Sequence, residues 1–145
     1  MIQQLSVFIE NTPGRVNALF QGLSEQGINV HAFTIADTKD FGIARLICDT
    51  PKKACTKLRD AGFRVSLTDV AAIYVPDRPG GLGKLLKLTD QGAFDIQYAY
   101  CFSMPQNNEP YAIDVMRTDN IKGLEDLCVN AGFSIVPAKE IYKLD

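Results

Sequence analysis

The strongest constraint on this chain is that it repeats itself. Asn11-Thr12-Pro13-Gly14 returns as Asp77-Arg78-Pro79-Gly80, and at the same offset Asn29-Val30 returns as Asp95-Ile96. A matching polar break, Gln26-Gly27 and then Gln91-Gly92, stands between the members of each pair. Asp60-Ala61-Gly62-Phe63 returns as Asn130-Ala131-Gly132-Phe133 at a slightly larger offset. The added residues fall in Met104–Pro110, a Pro- and Asn-rich stretch that reads as a longer surface loop. Insertions confined to a loop are what a duplicated fold tolerates. The 145 residues are therefore expected to form two copies of one unit, 1–68 and 69–145. A half-length unit is marginal alone, and Val65–Val70 offers no flexible linker, so the copies are expected to pack together.

Each copy reads strand, helix, strand, strand, helix, strand. Leu5, Val7 and Ile9 alternate with polar neighbours, and Ala71, Ile73 and Val75 do the same in the second copy, the period of a half-buried strand. After Pro-Gly the spacing becomes helical, with Val16, Leu19, Phe20 and Leu23 answered by Leu82, Leu85 and Leu86. Gly27 and Gly92 are expected to end these helices in the left-handed conformation. Second strands are predicted at Ile28–Ala36 and Phe94–Ser103, third strands at Gly42–Cys48 and Tyr111–Arg117. Second helices follow Asp49-Thr50-Pro51 and Thr118-Asp119-Asn120, which offer N-caps. Gly62 and Gly132 close them, and short strands follow at Arg64–Leu67 and Ser134–Val136. This βαββαβ order is the ferredoxin-like motif of the α+β class, an antiparallel sheet with both helices on one face.

Composition removes several classes of function. Fifteen Lys and Arg against seventeen Asp and Glu leave a net charge of −2, which does not suit a nucleic-acid binder that must neutralise phosphates. Tyr98, Tyr100 and Phe102 alternate on one strand, but without interleaved basic residues they read as core or interface rather than a base-stacking platform. No apolar run approaches the roughly 18 residues of a membrane helix, and the polar start does not read as a signal peptide. A cytoplasmic location without membrane attachment is the expectation. Cys48, Cys55, Cys101 and Cys128 lie in apolar patterns without a Cys-x-x-Cys pair, and the single His31 cannot complete a zinc set. They are expected to be buried thiols, with a disulfide from Cys48 to Cys101 or Cys128 left open.

The repeated Asn/Asp-x-Pro-Gly sits where a strand hands over to a helix. Such a junction presents unbonded backbone N–H groups and the positive end of the helix dipole, which suit a small carboxylate. Asn11 or Asp77 beside it offers a side-chain oxygen to an ammonium group, and Asn29 or Asp95 supplies a second polar position. The plainer alternative is that Asn11 and Asp77 simply cap the helices. His31, which aligns with Gln97, and Arg15 are further candidates for ligand contact.

On Asn11-x-Pro13-Gly14, the helix from Arg15 to Gln26 and Gly27-Ile28-Asn29-Val30, the chain resembles a tandem ACT-domain protein, most of all the regulatory ACT domain of phosphoglycerate dehydrogenases. The resemblance implies two ACT units whose antiparallel sheets pair side by side. It also implies a free amino-acid effector held between the helix-start loop of one unit and the second strand of its neighbour. Carried over residue by residue, the binding set is Asn11, Thr12, Pro13, Gly14, Arg15 and Val16 with Asp95, Ile96 and Gln97. The second set is Asp77, Arg78, Pro79, Gly80, Gly81 and Leu82 with Asn29, Val30 and His31. The second copy departs from the pattern in carrying Asp at both polar positions and in Gly81 and Gly83, which weaken a helix start or open it to a ligand.

No catalytic constellation, metal site or cofactor motif emerges. The glycines of Gly80-Gly81-Leu82-Gly83-Lys84 lack phosphate-loop spacing, and nothing in the sequence pushes apart the acidities of Asp77 and Asp95. The expected function is that of a non-enzymatic amino-acid sensor, a homodimer acting on a regulated enzyme or other protein. The alternative is a regulatory or structural subunit that binds its partner without any ligand.

Overall fold

The computed structural model describes residues 1–37, 40–103 and 110–142. All but the last residue of the loop expected at Met104–Pro110 lies outside them. The chain forms two compact units, one of Gln3–Thr68 with the segment from Ile141 onward, the other of Met1–Ile2 with Asp69–Glu140.

The first unit runs β1 (Ile2–Glu10), α1 (Arg15–Glu25), β2 (Val30–Asp37), β3 (Phe41–Cys48), α2 (Pro51–Asp60) and the first half of β4 (Arg64–Pro76). Its strand order is β2-β3-β1-β4. The β1–β3 pairing is antiparallel from Leu5↔Leu46 to Glu10↔Phe41. That register turns Leu5, Val7 and Ile9 to the face of Ala44, Leu46 and Cys48, where Leu19 and Leu23 of α1 and Leu58 of α2 close the core. Each such side chain contributes about 1.5–3 kcal/mol on leaving water.

The second unit repeats the plan with the second half of β4, α3 (Gly81–Gln91), β5 (Tyr98–Phe102), β6 (Tyr111–Arg117) and α4 (Ile121–Asn130), in strand order β4-β6-β5. The β4–β6 register from Ala71↔Met116 to Pro76↔Tyr111 reproduces that of β1 and β3. Ile73, Met116, Leu85, Leu124 and Cys128 form its core. The α+β class and the two βαββαβ units are as the sequence predicts, and the β6 bounds agree residue for residue.

Several details differ. The strands expected on either side of residue 68 are one continuous β4, because no breaker interrupts a run rich in Val, Ile and Thr. The second strands start late, at Val30 and Tyr98. Asn29 is held by Asp49, whose Oδ1 accepts from its N–H and whose own N–H donates to its carbonyl. Gln97 turns its side chain to Asp119 (2.7 Å). The strand predicted at Ser134–Val136 is reduced to a single bridge, Ile135 to Ile73.

Gly27, Gly62 and Gly132 take positive φ as expected, but Gly92 does not, and Ala93 is left-handed instead. Gly92 leaves room for its neighbours: a Cβ there would stand 2.6 Å from a Leu127 methyl of α4 and 2.9 Å from the Phe94 ring, and those side chains would have to shift. The helical stripes are also narrower than predicted. Val16, Leu82 and Leu86 remain 41, 40 and 42% exposed, since they lie on the helix flank and not over the sheet centre.

Of the expected caps, Asn120 Oδ1 accepts from Gly123 N–H (3.0 Å), whereas Thr50 caps α2 with its backbone alone and Pro51 occupies the first turn. After α4 the chain forms a four-residue helix, α5 (Ala138–Ile141), with Ile141 buried. No disulfide forms. Cys48, Cys55 and Cys128 are buried as expected, and Cys101 is exposed.

Candidate functional site

The two helix-start loops share one backbone. In the first unit Asn11 N–H donates to the Asp40 carbonyl (2.9 Å), Thr12 N–H to Glu10, and Arg15 N–H to Thr12. In the second, Asp77 N–H donates to Pro110 (2.7 Å), Arg78 N–H to Pro76, and Gly81 N–H to Arg78. Gly14 and Gly80 then stand at the N-cap with φ of +89° and +86°, a conformation that costs other residues about 1–2 kcal/mol. The helix starts are therefore not capped by Asn11 and Asp77, which come three residues too early. Neither α1 nor α3 has a side-chain cap or an acidic residue in its first turn. Thr12, Pro13, Gly14, Arg78, Pro79 and Gly80 are all exposed. Arg15 N–H and Gly81 N–H are spent inside the turn, and the positive end of each helix is left beside an exposed loop with no acidic side chain in the first turn, the arrangement that attracts an anion.

Arg15 turns away from this purpose: its guanidinium lies over the Phe63 ring, 4.5 Å from the centroid. Gly81 is not an opening for a ligand either. A Cβ at Gly81 would sit 2.1 Å from the Pro76 carbonyl oxygen, so glycine is required by the chain's own turn, while nothing lies within 4 Å of one at Gly83.

The remaining candidates lie at the other end of each sheet. In the first unit Asn29 adjoins Asp49 at the end of β3, Val30 pairs with Cys48, and Asn11 adjoins Asp40 at the start of β3. In the second, Gln97 N–H donates to Arg117 at the end of β6, whereas Asp77 bonds Pro110 before its start. Helices of 11 residues, roughly 16 Å, separate the two ends. One unit thus does not bring its own Asn11 to its own Asn29, nor Asp77 to Asp95. Asp95 is exposed, and Ile96 packs against the core.

His31 is held on both ring nitrogens. Nε2 is 3.1 Å from the Ile141 carbonyl, an acceptor, so Nε2 carries the hydrogen, and Nδ1 faces the Asn29 amide nitrogen at 3.4 Å. Tyr142 adds hydroxyl bonds to the Gln3 N–H and carbonyl. Sequence reasoning missed this anchoring, because contacts between residues so far apart in the chain leave no local pattern.

It also missed Asp114. This β6 residue is 1% exposed and pairs in register with Cys101, whose thiol donates to Oδ1 at 3.3 Å. Burial pushes its carboxyl up to about 6, with the Cys101 bond pulling the other way. Although Cys101 is exposed as a residue, partial desolvation of its sulfur beside Asp114, the Asp114 charge and hydrogen bond, and the Asp77 charge raise it to about 12, so this thiol is a donor and not a nucleophile. The only visible signal was one acid inside an apolar strand, Tyr111–Arg117.

The raised pKa fixes a sign. The folded state holds the Asp114 proton more tightly than the unfolded chain, so stability present below about pH 4 is lost as pH rises through about 6. Asp114→Asn is expected to flatten that decline in urea midpoints measured between pH 4 and 7. An unaltered profile would place the titration elsewhere.

Among the described residues no three His, Cys, Asp or Glu side chains gather as a metal site, and no helix is long and apolar enough to cross a membrane. The sequence model of one family, described as an ACT domain pair, matches residues 1–145. The crystal structure of protein BT0572 from Bacteroides thetaiotaomicron is 36% identical with a TM-score of 0.88, covering 99% of this chain and 96% of that one. The ligand-free regulatory subunit of aspartate kinase from Thermus thermophilus superposes with a TM-score of 0.65 at 16% identity, covering 90% of this chain and 92% of that one. Its counterpart from Thermus flavus gives 0.60 at 17%, covering 89% and 91%. At those identities the two subunits share the fold. Among curated proteins nothing matches.

Proposed function

Because the chain belongs to the family of ACT domain pairs, we propose that it is a non-enzymatic sensor that binds a free amino acid and passes the signal to a protein partner. The observation that carries this reading is the pair of uncapped helix starts, each opened by a left-handed glycine, with Asn11 or Asp77 beside it. The amides take the effector's carboxylate, and Asn11 or Asp77 its ammonium. A paired unit supplies the other half, Asn29–His31 or Asp95–Gln97, since a single unit holds these far from its own helix start. Asn11 then faces Asp95, and Asp77 faces Asn29. Binding at such a seam tightens the pairing and shifts the population that a partner recognises. That the regulatory subunit of aspartate kinase from Thermus thermophilus shares this fold supports a regulatory role. We place the protein in the cytoplasm as a homodimer acting on an enzyme. Calorimetric titration of the full chain with the twenty amino acids is expected to give saturable binding by at least one. Absence of binding by all of them overturns the reading.

One observation favours ligand-independent partner binding as a second reading. In the first unit Phe8 stacks on Phe41 (4.9 Å between centroids) on the sheet face away from the helices, and Arg64 lies 5.3 Å over the Phe8 ring. Phe8 and Arg64 border a depression of about 380 Å³ with Ser6, Ile43, Val65 and Ser66. Association with a partner that is unchanged by any amino acid would favour it.

A further inference from the structure

Asp114 is a carboxylate built into a place that the same fold fills with hydrocarbon. The register pair Cys101–Asp114 of the second unit corresponds to Ile35–Ala44 of the first, where Ala44 is fully buried. Asp114 lies in register with Ile73 and so turns toward the core that Ile73 forms with Met116, Leu85 and Cys128. Oδ1 takes the Cys101 thiol, but Oδ2 has no hydrogen-bond partner among the described residues. A half-satisfied buried carboxylate is less stable than an apolar pair of the same shape, so its presence in a core needs an account.

The surroundings supply one. Cys101 is exposed at the edge strand of its unit, and Leu82 and Leu86 on the outer flank of α3 are exposed too. Asp77 from the helix-start loop acts on Cys101, and Cys128 from α4 feels the Asp114 charge. Glu125 of α4 acts on Cys128 and is paired with the Met1 ammonium, and among the described residues no cation is bonded to Asp114. Asp77, whose charge reaches Cys101, belongs to the loop assigned above to the effector.

We propose that Asp114 is part of the second unit's ligand site, and that its Oδ2, reached past Cys101, accepts from the primary ammonium group of an amine-bearing effector. The ligand class rests on the amino-acid reading above, whereas the position rests on the geometry of Asp114 itself. An ammonium brings the donors and the positive charge that the carboxylate lacks, and the pKa of Asp114 then falls toward the ordinary carboxylate range on binding. The first unit, with Ile35 and Ala44, has no such group, so the two sites differ in affinity.

Two experiments on the full chain test this. In the first, the Asp114 carboxyl carbon is followed by NMR during titration with methylammonium chloride. Tetramethylammonium chloride, which carries the charge without an N–H, is the control at equal ionic strength. A saturable shift and a lowered pKa with methylammonium alone are expected; equal responses to both salts overturn the proposal. In the second, the amino-acid panel is titrated into the wild type and into Cys101→Ile with Asp114→Ala, which writes the first unit's own pair into the second. At least a tenfold loss at one site, with the other unchanged, is expected. Unchanged binding by the folded variant overturns the proposal and leaves the sensor standing. If no amino acid binds the wild type, the sensor reading falls and the methylammonium result decides Asp114.

Discussion

Gly81→Ala is expected to lower stability by about 3 kcal/mol, the upper part of the range for overpacking, whereas Gly83→Ala two residues on raises it by about 0.5–1 kcal/mol. Both glycines open α3, and propensity alone predicts a gain at each. The difference is steric. A methyl group at Gly81 would stand 2.1 Å from the Pro76 carbonyl oxygen and 3.1 Å from its carbon, while one at Gly83 meets nothing within 4 Å. Pro76 is not free to retreat, because it pairs with Tyr111, and the following Asp77 N–H is tied to Pro110. The helix start must therefore move, and any ligand affinity that depends on it falls as well. Urea denaturation of the two variants checks this, and equal stabilities would mean that the turn relaxes without loss.

Asp77→Ala is expected to weaken effector binding by about 10–100-fold, the equivalent of losing one charge-assisted hydrogen bond of about 1.5–3 kcal/mol. Stability is the discriminating control. A residue that caps a helix loses about 1 kcal/mol on truncation to Ala. Asp77 does not cap α3, because Gly80 occupies that position without any side-chain bond. The variant is thus expected to unfold within about 0.5 kcal/mol of the wild type, as surface substitutions do. A lowered denaturation midpoint with unchanged affinity would assign Asp77 to the fold and remove it from the site. Asp77→Asn, which installs the residue of the first copy, is expected to retain more affinity than Asp77→Ala, since it keeps an acceptor oxygen.

The legibility of the site was uneven for one physical reason. The Asn11–Gly14 and Asp77–Gly80 loops announce themselves because proline and glycine act on their own φ, which is a local effect. Their proposed counterparts, Asn29–His31 and Asp95–Gln97, were visible as repeats, but their surroundings were not. That Asp49 holds Asn29, that Asp119 holds Gln97 and that the Ile141 carbonyl meets His31 are contacts across long stretches of chain. Cys101 and Asp114 likewise meet only through the β5–β6 register.

What the sequence alone determined was the duplication, the βαββαβ order and the glycine stops at Gly27, Gly62 and Gly132, all properties of residues close together in the chain. Periodicity and left-handed backbone are written within a few positions, so they survive being read without partners. Tertiary structure decided that β4 is unbroken, that Gly92 makes room for Leu127 while Ala93 takes the left-handed turn, and that Val16 and Leu82 stay outside. It also decided that one acid in an apolar strand is buried with half its hydrogen-bonding capacity unmet. Those outcomes depend on which distant atoms arrive next to a residue, and packing geometry in three dimensions supplies that where a linear pattern does not.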